Sequence, residues 1–129
     1  MSRLLILAAL LVALIVAAPA ATAGEILLDT EGSRSGLSQR FETTGPWLLT
    51  WRVNSDFRQQ AGLVVDLVDA DSGLFKRRVL RRGAVGGGYK LFRDVGRFRF
   101  EISTSLAKYE LKIEQLTEAE AAELEPVGG

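Results

Sequence analysis

Apolar and polar side chains alternate one by one along most of residues 24–116. The alternation is strictest in residues 46–54, 96–104 and 107–115. In the middle stretch, for example, Phe98 and Phe100 flank Arg99. A period of two places neighbouring side chains on opposite faces of a strand, so that one face is buried and the other is solvated. The sequence therefore predicts a strand at each of the three stretches.

Shorter and less regular stretches predict the remaining strands. They cover residues 25–30, 38–44, 63–68, 74–81 and 89–93. Residues 63–68 are apolar on both faces apart from Asp66, which indicates a central strand. Turn-forming residues separate these stretches, and the glycines at 86–88 are expected to form a flexible loop. Seven or eight short strands at regular spacing predict an all-β fold, an antiparallel, jelly-roll-like β-sandwich.

After residue 24, a helical pattern is found only at the end of the chain. Thr117 and Glu120 match the N-cap and N3 positions of a capping box, and Pro126 follows about two turns later. This segment carries four glutamates and no basic residue. We therefore expect a β-sandwich domain over residues 24–116 and an acidic tail or short helix over residues 117–129.

The first 23 residues have the pattern of a cleavable signal peptide. Arg3 supplies a positive charge, an apolar run follows, and Ala23 ends a small-x-small cleavage site. The apolar run of about fifteen residues is shorter than the roughly twenty that a membrane-spanning helix needs. We expect a periplasmic or secreted protein with no transmembrane anchor after cleavage. The chain has no cysteine, so it must fold there without disulfides.

The residues that are missing exclude several chemistries. The chain has no histidine and no cysteine, which rules out Ser-His and Cys-His nucleophilic pairs and metal sites built from those ligands. We expect no enzymatic activity, no cofactor and no metal. One alternative concerns Asp66, Asp69 and Asp71, which either hold a hairpin turn or offer oxygen ligands to calcium.

Two groups of aromatic residues suggest different roles. The first group lies on the apolar faces of predicted strands and forms either core or a sugar-stacking platform: Trp47, Trp51, Phe98, Phe100 and Tyr109. The second group lies near predicted loops and strand ends, where exposed contacts are expected: Phe57, Phe75, Tyr89 and Phe92. A cysteine-free core needs bulky side chains, which favours the core interpretation for the first group.

Basic residues are concentrated in one short segment. The candidate ligand-binding residues are Lys76, Arg77, Arg78, Arg81, Arg82, Lys90, Arg93, Arg97 and Arg99. If the strands that carry them lie side by side, their outward faces form a positive surface suited to phosphate or carboxylate. Alternatively, the charges solvate edge strands and prevent aggregation, and the acidic tail folds back to neutralise them. No nucleic-acid-binding motif accompanies the charge.

Four short motifs resemble those of small secreted jelly-roll modules. They are Gly45-Pro46-Trp47, the Val-Asp-Ala-x-Ser-Gly of residues 68–73, the Gly-Arg-Phe-Arg-Phe of residues 96–100, and the Tyr-x-Leu-x-Ile of residues 109–113. The chain is similar in these motifs to GOLD-like and CUB-like sandwiches and to related bacterial exported domains. CUB domains usually contain disulfides, which this chain lacks. The resemblance implies adhesion, ligand binding or protein interaction, and it brings no catalytic residues.

These observations lead to one expected function and two alternatives. We expect an exported, non-enzymatic binding module whose basic surface meets an anionic envelope component or protein partner. The first alternative is a structural or accessory protein that docks to an envelope partner through a sheet edge or loop aromatics. The second is a glycan-binding module that uses the aromatic side chains.

Overall fold

The computed structural model describes residues 24–125, which form nine strands and one helix. The strands are β1 (Ile26–Gly32), β2 (Gly36–Leu37), β3 (Phe41–Thr43), β4 (Trp47–Asn54), β5 (Gly62–Asp69), β6 (Phe75–Arg82), β7 (Gly86–Phe92), β8 (Gly96–Ser105) and β9 (Lys108–Gln115). The helix, α1, is Glu118–Leu124. The predicted signal peptide, residues 1–23, lies outside the described residues. Within residues 24–125, no helix is long and apolar enough to cross a membrane.

The strands form two antiparallel sheets that pack as a sandwich. The first sheet has the order β1-β9-β4-β7, and the second has the order β2-β8-β5-β6, with β3 also paired to β8. Because β2 and β3 pair with successive parts of β8, they occupy one strand position, and the fold has eight positions. The first position then pairs with the eighth, the second with the seventh, the third with the sixth and the fourth with the fifth. This is a long hairpin rolled into a jelly roll, as the sequence predicts.

Besides these four pairs, each sheet contains one further pairing, between its two central strands. Strand β4 pairs with β9 and with β7, and β5 pairs with β8 and with β6. Each sheet therefore has two central strands and two edge strands, and β6 and β7 are edge strands of different sheets. This arrangement sets the position of the candidate site.

The core lies between the inner faces of the two sheets. In the central strand β4, every second side chain is buried, from Trp47 to Val53, and β9 repeats the pattern from Tyr109 to Ile113. In the second sheet, β5 lies between β8 and β6, which confirms the prediction of a central strand. The alternation therefore has the physical cause that the sequence suggested, since one face of each strand packs on the opposite sheet.

The aromatic residues divide between core and surface with one exception. Trp47, Trp51, Phe98, Phe100 and Tyr109 are all buried, so they cannot form a sugar-stacking platform. Phe57, Phe75 and Tyr89 are exposed, as expected. Phe92 is not, because it pairs with Trp47 across β4 and β7 and points inward. Its ring stacks on the indole with the centroids 4.7 Å apart.

The glycines at 86–88 are the second departure from the sequence prediction. They are not a flexible loop but the first part of β7, paired with β4. Gly88 lies opposite Trp51, and a Cβ atom there would come within 3.2 Å of the indole ring. Glycine therefore allows the backbone of β7 to lie directly against a buried ring.

The capping box at the start of α1 is present as predicted. The Thr117 side chain accepts a hydrogen bond from the Glu120 amide at 3.1 Å, and the Thr117 amide donates to the Glu120 carboxylate at 3.0 Å. Ala121 is fully buried, which anchors this short helix on the sandwich. A seven-residue helix is marginal in isolation, so this packing is what holds α1 in place.

Candidate functional site

The nine basic candidate residues do not share one face. Those on β6 and β8 belong to the second sheet: Lys76, Arg77, Arg78, Arg81, Arg82, Arg97 and Arg99. Lys90 lies on β7 in the first sheet, and Arg93 lies in the β7–β8 loop. The consecutive strands β6 and β7 pair with β5 and β4 respectively, so they are not side by side in one sheet.

The outer face of the second sheet is not uniformly positive either. Across β6, β5 and β8, the register aligns Arg78 with Asp66 and Glu101. Arg78 Nε lies 3.0 Å from Asp66 Oδ1. Nearer the other edge, Arg97 is aligned with Glu42 of β3. Acidic side chains therefore lie beside the arginines on this face, which fits a solvated surface better than a site for a polyanion.

Four of the nine basic residues instead meet at the open side of the sandwich. Strands β6 and β7 are the edge strands of the two sheets and are joined by only three residues, so both edges lie on this side. Between them is a groove of about 920 Å³. Arg77 and Arg78 line it from β6, Lys90 from β7 and Arg93 from the following loop. Apolar lining comes from Val79, Leu91 and Phe92.

One carbonyl group fixes the loop at the end of this groove. The Asp94 carbonyl oxygen accepts hydrogen bonds from Thr43 Oγ1 at 2.6 Å and from Trp47 Nε1 at 2.9 Å. The Asp94 carboxylate lies 3.2 Å from Arg77 Nε. Both donors come from buried side chains, so the loop that carries Arg93 is tied directly to the core.

Arg93 is held by two carboxylates of the tail. Its Nη1 donates to Glu118 Oε2 at 2.7 Å, and its Nε and Nη2 both donate to Glu125 Oε1. The hydrogen bonds from Glu125 and then Glu118 raise the pKa of the Arg93 guanidinium above its ordinary value. Leu124 and Glu125 also line the groove. In the part of the tail that the structure describes, residues 117–125, the acidic side chains therefore fold back onto the basic segment at Arg93.

Lys90 is the groove cation with no carboxylate at ion-pair distance among residues 24–125. In the β4–β7 register it is aligned with Leu49, which is buried. Lys90 is exposed nevertheless, because β7 is an edge strand and its side chain reaches the groove. Its ammonium group is available to an anion that enters there.

Three other basic candidates have structural contacts away from the groove. Arg99 Nε donates to the Ser38 carbonyl at 2.9 Å, and Arg97 lies 3.4 Å from Asp71. The guanidinium of Arg82 lies over the Trp51 ring, 5.2 Å from its centroid. Cation–π contact of this kind covers a core aromatic residue at its exposed side. These three side chains are therefore not part of the groove.

Asp69 holds the hairpin turn, and the three aspartates Asp66, Asp69 and Asp71 do not form a common metal site. Asp69 Oδ2 accepts hydrogen bonds from the Asp71 amide at 3.0 Å, the Ser72 amide at 2.7 Å and the Ser72 hydroxyl at 2.9 Å. These bonds, those from Ser72 first, lower the pKa of Asp69. Asp66 is paired with Arg78, and Asp71 faces Arg97. Among the described residues, no group of three acidic side chains is placed to hold a metal ion.

Sequence reasoning finds the groove cations but not the residues that organise them. In the sequence, Asp94 stands out only as the single acid within the basic segment, and the position of Phe92 near a strand end suggests the surface. The acidic tail gives a signal for Glu118 and Glu125, although not for the arginine that they reach. Comparison with protein-family models and with curated protein sequences gives no match.

Proposed function

We propose that this protein is a non-enzymatic binding module that takes an anionic partner in the groove between β6 and β7. The observation that carries the proposal is the position of Lys90. Its side chain lines a groove with an apolar floor, and no carboxylate of the described residues lies at ion-pair distance from its ammonium group. The groove volume of about 920 Å³ lies within the roughly 300–1,000 Å³ of many ligand pockets. Arginine and lysine recognise phosphate and carboxylate groups, which defines the chemistry of the partner.

The groove residues support binding rather than catalysis. The two carboxylates that line the groove, Asp94 and Glu125, are both engaged by arginines, Arg77 and Arg93. The chain also lacks histidine and cysteine, the commonest proton-transfer and nucleophilic groups.

The proposal includes export. The amino-terminal pattern of a signal peptide favours a site in the periplasm or outside the cell, where acidic proteins, acidic polysaccharides and lipid head groups carry anionic charge. We therefore expect the partner to belong to the cell envelope or the extracellular medium rather than to be a nucleic acid.

Binding of labelled anionic polymers at graded salt concentration tests this function. We expect Lys90→Glu to weaken binding on the order of tenfold at low salt, because it replaces attraction by repulsion inside the groove. Lys112→Glu is the matched control, since this residue is exposed on β9 and outside the groove. Equal losses in both variants, or no binding to any anion, would contradict a groove site.

A second candidate function is docking of a partner protein on the same edge strands, β6 and β7, without recognition of charge. Strands β6 and β7 both end their sheets, and an extended segment of a partner protein can add to such an edge through main-chain hydrogen bonds. Tyr89, which is exposed on β7, gives such a partner an aromatic contact. Binding that survives high salt and Lys90→Glu would favour this docking role over anion recognition.

A further inference from the structure

The helix α1 covers the Arg93 end of the groove in the manner of a bound peptide. Leu124 and Glu125 line the groove, and the Arg93 guanidinium contacts Glu118 and Glu125 together. Glu118 and Glu125 are seven positions apart. Glu118 is the first residue of α1 and Glu125 is its C-cap residue, so the two carboxylates come from opposite ends of the helix. One guanidinium therefore receives two carboxylates from a single short segment.

The contact depends on how α1 is anchored. The capping box of Thr117 and Glu120 starts the helix, and the buried Ala121 attaches it to the sandwich. At its other end, the Glu125 amide donates to the Ala121 carbonyl at 3.2 Å. This bond keeps the Glu125 backbone within reach of Arg93. The side chains of Arg93, Glu118 and Glu125 are all half-exposed or exposed, so a competing carboxylate from solution has access to Arg93.

We propose that the partner of the groove is an acidic segment of polypeptide, and that α1 is an occupant from the chain itself that competes with it. This inference rests on the proposed function of the groove. The tail shows which ligand chemistry fits: carboxylates on Arg93 next to an apolar side chain, Leu124, in a groove with an apolar floor. Lys90 and Arg78 extend the cationic lining beyond the part that α1 covers.

A polypeptide fits this site better than a membrane surface does. The groove is a concave space between two edge strands, and its apolar floor includes Phe92, whose ring is packed on Trp47. A lipid bilayer is flat on this scale and meets protruding loops before it meets such a floor. A single extended or helical segment is narrow enough to enter, and it brings both the charge and the apolar side chain.

The test measures binding of a fluorescent glutamate-rich peptide that contains leucine, by anisotropy, to the protein and its variants. We expect Glu118→Gln/Glu125→Gln to bind the peptide on the order of two- to tenfold more tightly, because two surface ion pairs no longer compete. Glu114→Gln/Glu123→Gln removes the same charge, and neither of those residues has an ion-pair partner among the described residues. In NMR spectra of the wild type, the resonances of Arg93 Nε and of the Ala121 amide should shift together as peptide is added.

The outcomes separate this inference from the proposed function. An equal gain in the two double variants would show that total charge matters and would overturn competition by α1. Binding of anionic vesicles or acidic polysaccharide through Lys90, with no binding of the peptide, would overturn the choice of polypeptide while the groove function stands. Loss of all anion binding with the fold intact would refute the groove function itself.

Discussion

The indole of Trp47 donates a hydrogen bond to the carbonyl oxygen of Asp94, with 2.9 Å between Nε1 and the oxygen. Trp47 is fully buried at the start of β4, whereas Asp94 lies in the β7–β8 loop beside the groove. The same carbonyl accepts the Thr43 hydroxyl from β3 at 2.6 Å. Two buried donors from different sheets therefore meet on one loop carbonyl, and they determine where Arg93 and the Asp94 carboxylate lie.

Replacing these donors should show that the carbonyl is shared. We expect Trp47→Phe to lower the free energy of unfolding by about 2 kcal/mol, through the lost bond and the smaller ring. Thr43→Val should cost about 1 kcal/mol, since it removes the hydroxyl and keeps the volume. The loss of stability in the double variant should exceed the sum of the two single losses by about 1 kcal/mol, because the carbonyl then loses both partners. Denaturant unfolding measures all three, and strict additivity would mean that water replaces the lost donors.

The fold was predictable because its main determinant is local. Alternation in residues 46–54, 96–104 and 107–115 follows from burial of one face of each strand, and the capping box at Thr117 is set by residues three positions apart. The number of strands was harder to predict, since β2 and β3 share one position through their common partner β8. That division depends on pairing with residues more than 50 positions away.

The glycine run in β7 gives a prediction with a built-in control. Gly88→Val should lower the free energy of unfolding by about 1–3 kcal/mol, because its side chain would press on the buried Trp51 ring. A Cβ atom added at Gly83 would meet no atom within 4 Å, so Gly83→Ala should be neutral or stabilise by up to about 1 kcal/mol. Thermal unfolding of the two variants distinguishes close packing from simple loss of glycine flexibility. Similar effects at both positions would contradict the packing argument.

The candidate site was less predictable than the fold because it is made by two sheets. Arg77 and Lys90 are close in sequence, but the groove between them exists only because β6 joins the second sheet and β7 the first. Nothing in the local pattern distinguishes this from a β6–β7 hairpin within one sheet. Four of the nine residues named from the basic segment line the groove, whereas the expected flat positive face does not describe their arrangement.

Asp69 should make stability depend on pH in the acidic range. Its pKa is lowered in the folded protein from the ordinary value of 3.8 by the hydrogen bonds from Ser72 and Asp71. A lowered pKa contributes stability that is fully present above the unfolded value and is lost as the pH falls through the folded value. Asp69→Asn should therefore be less stable than the wild type at neutral pH, and the gap should close in strong acid. Melting temperatures measured across this range check the sign, and a gap that stays constant would exclude titration of Asp69 as the cause.

The capping box should stabilise the ion pairs between the tail and Arg93. Thr117→Ala removes the hydroxyl that accepts a hydrogen bond from the Glu120 amide. Loss of such a cap typically lowers the stability of a helix by about 1 kcal/mol. Because α1 is short and is anchored mainly through Ala121, we expect the loss to appear as local fraying. Hydrogen exchange at the Ala121 and Glu125 amides should accelerate, while exchange in β5 should scarcely change. The Arg93 Nε proton should lose protection together with these amides, since Glu118 and Glu125 follow the helix. If Arg93 instead kept its protection while α1 frayed, the two glutamates would reach it without the helix, and the capping box would have no part in positioning them.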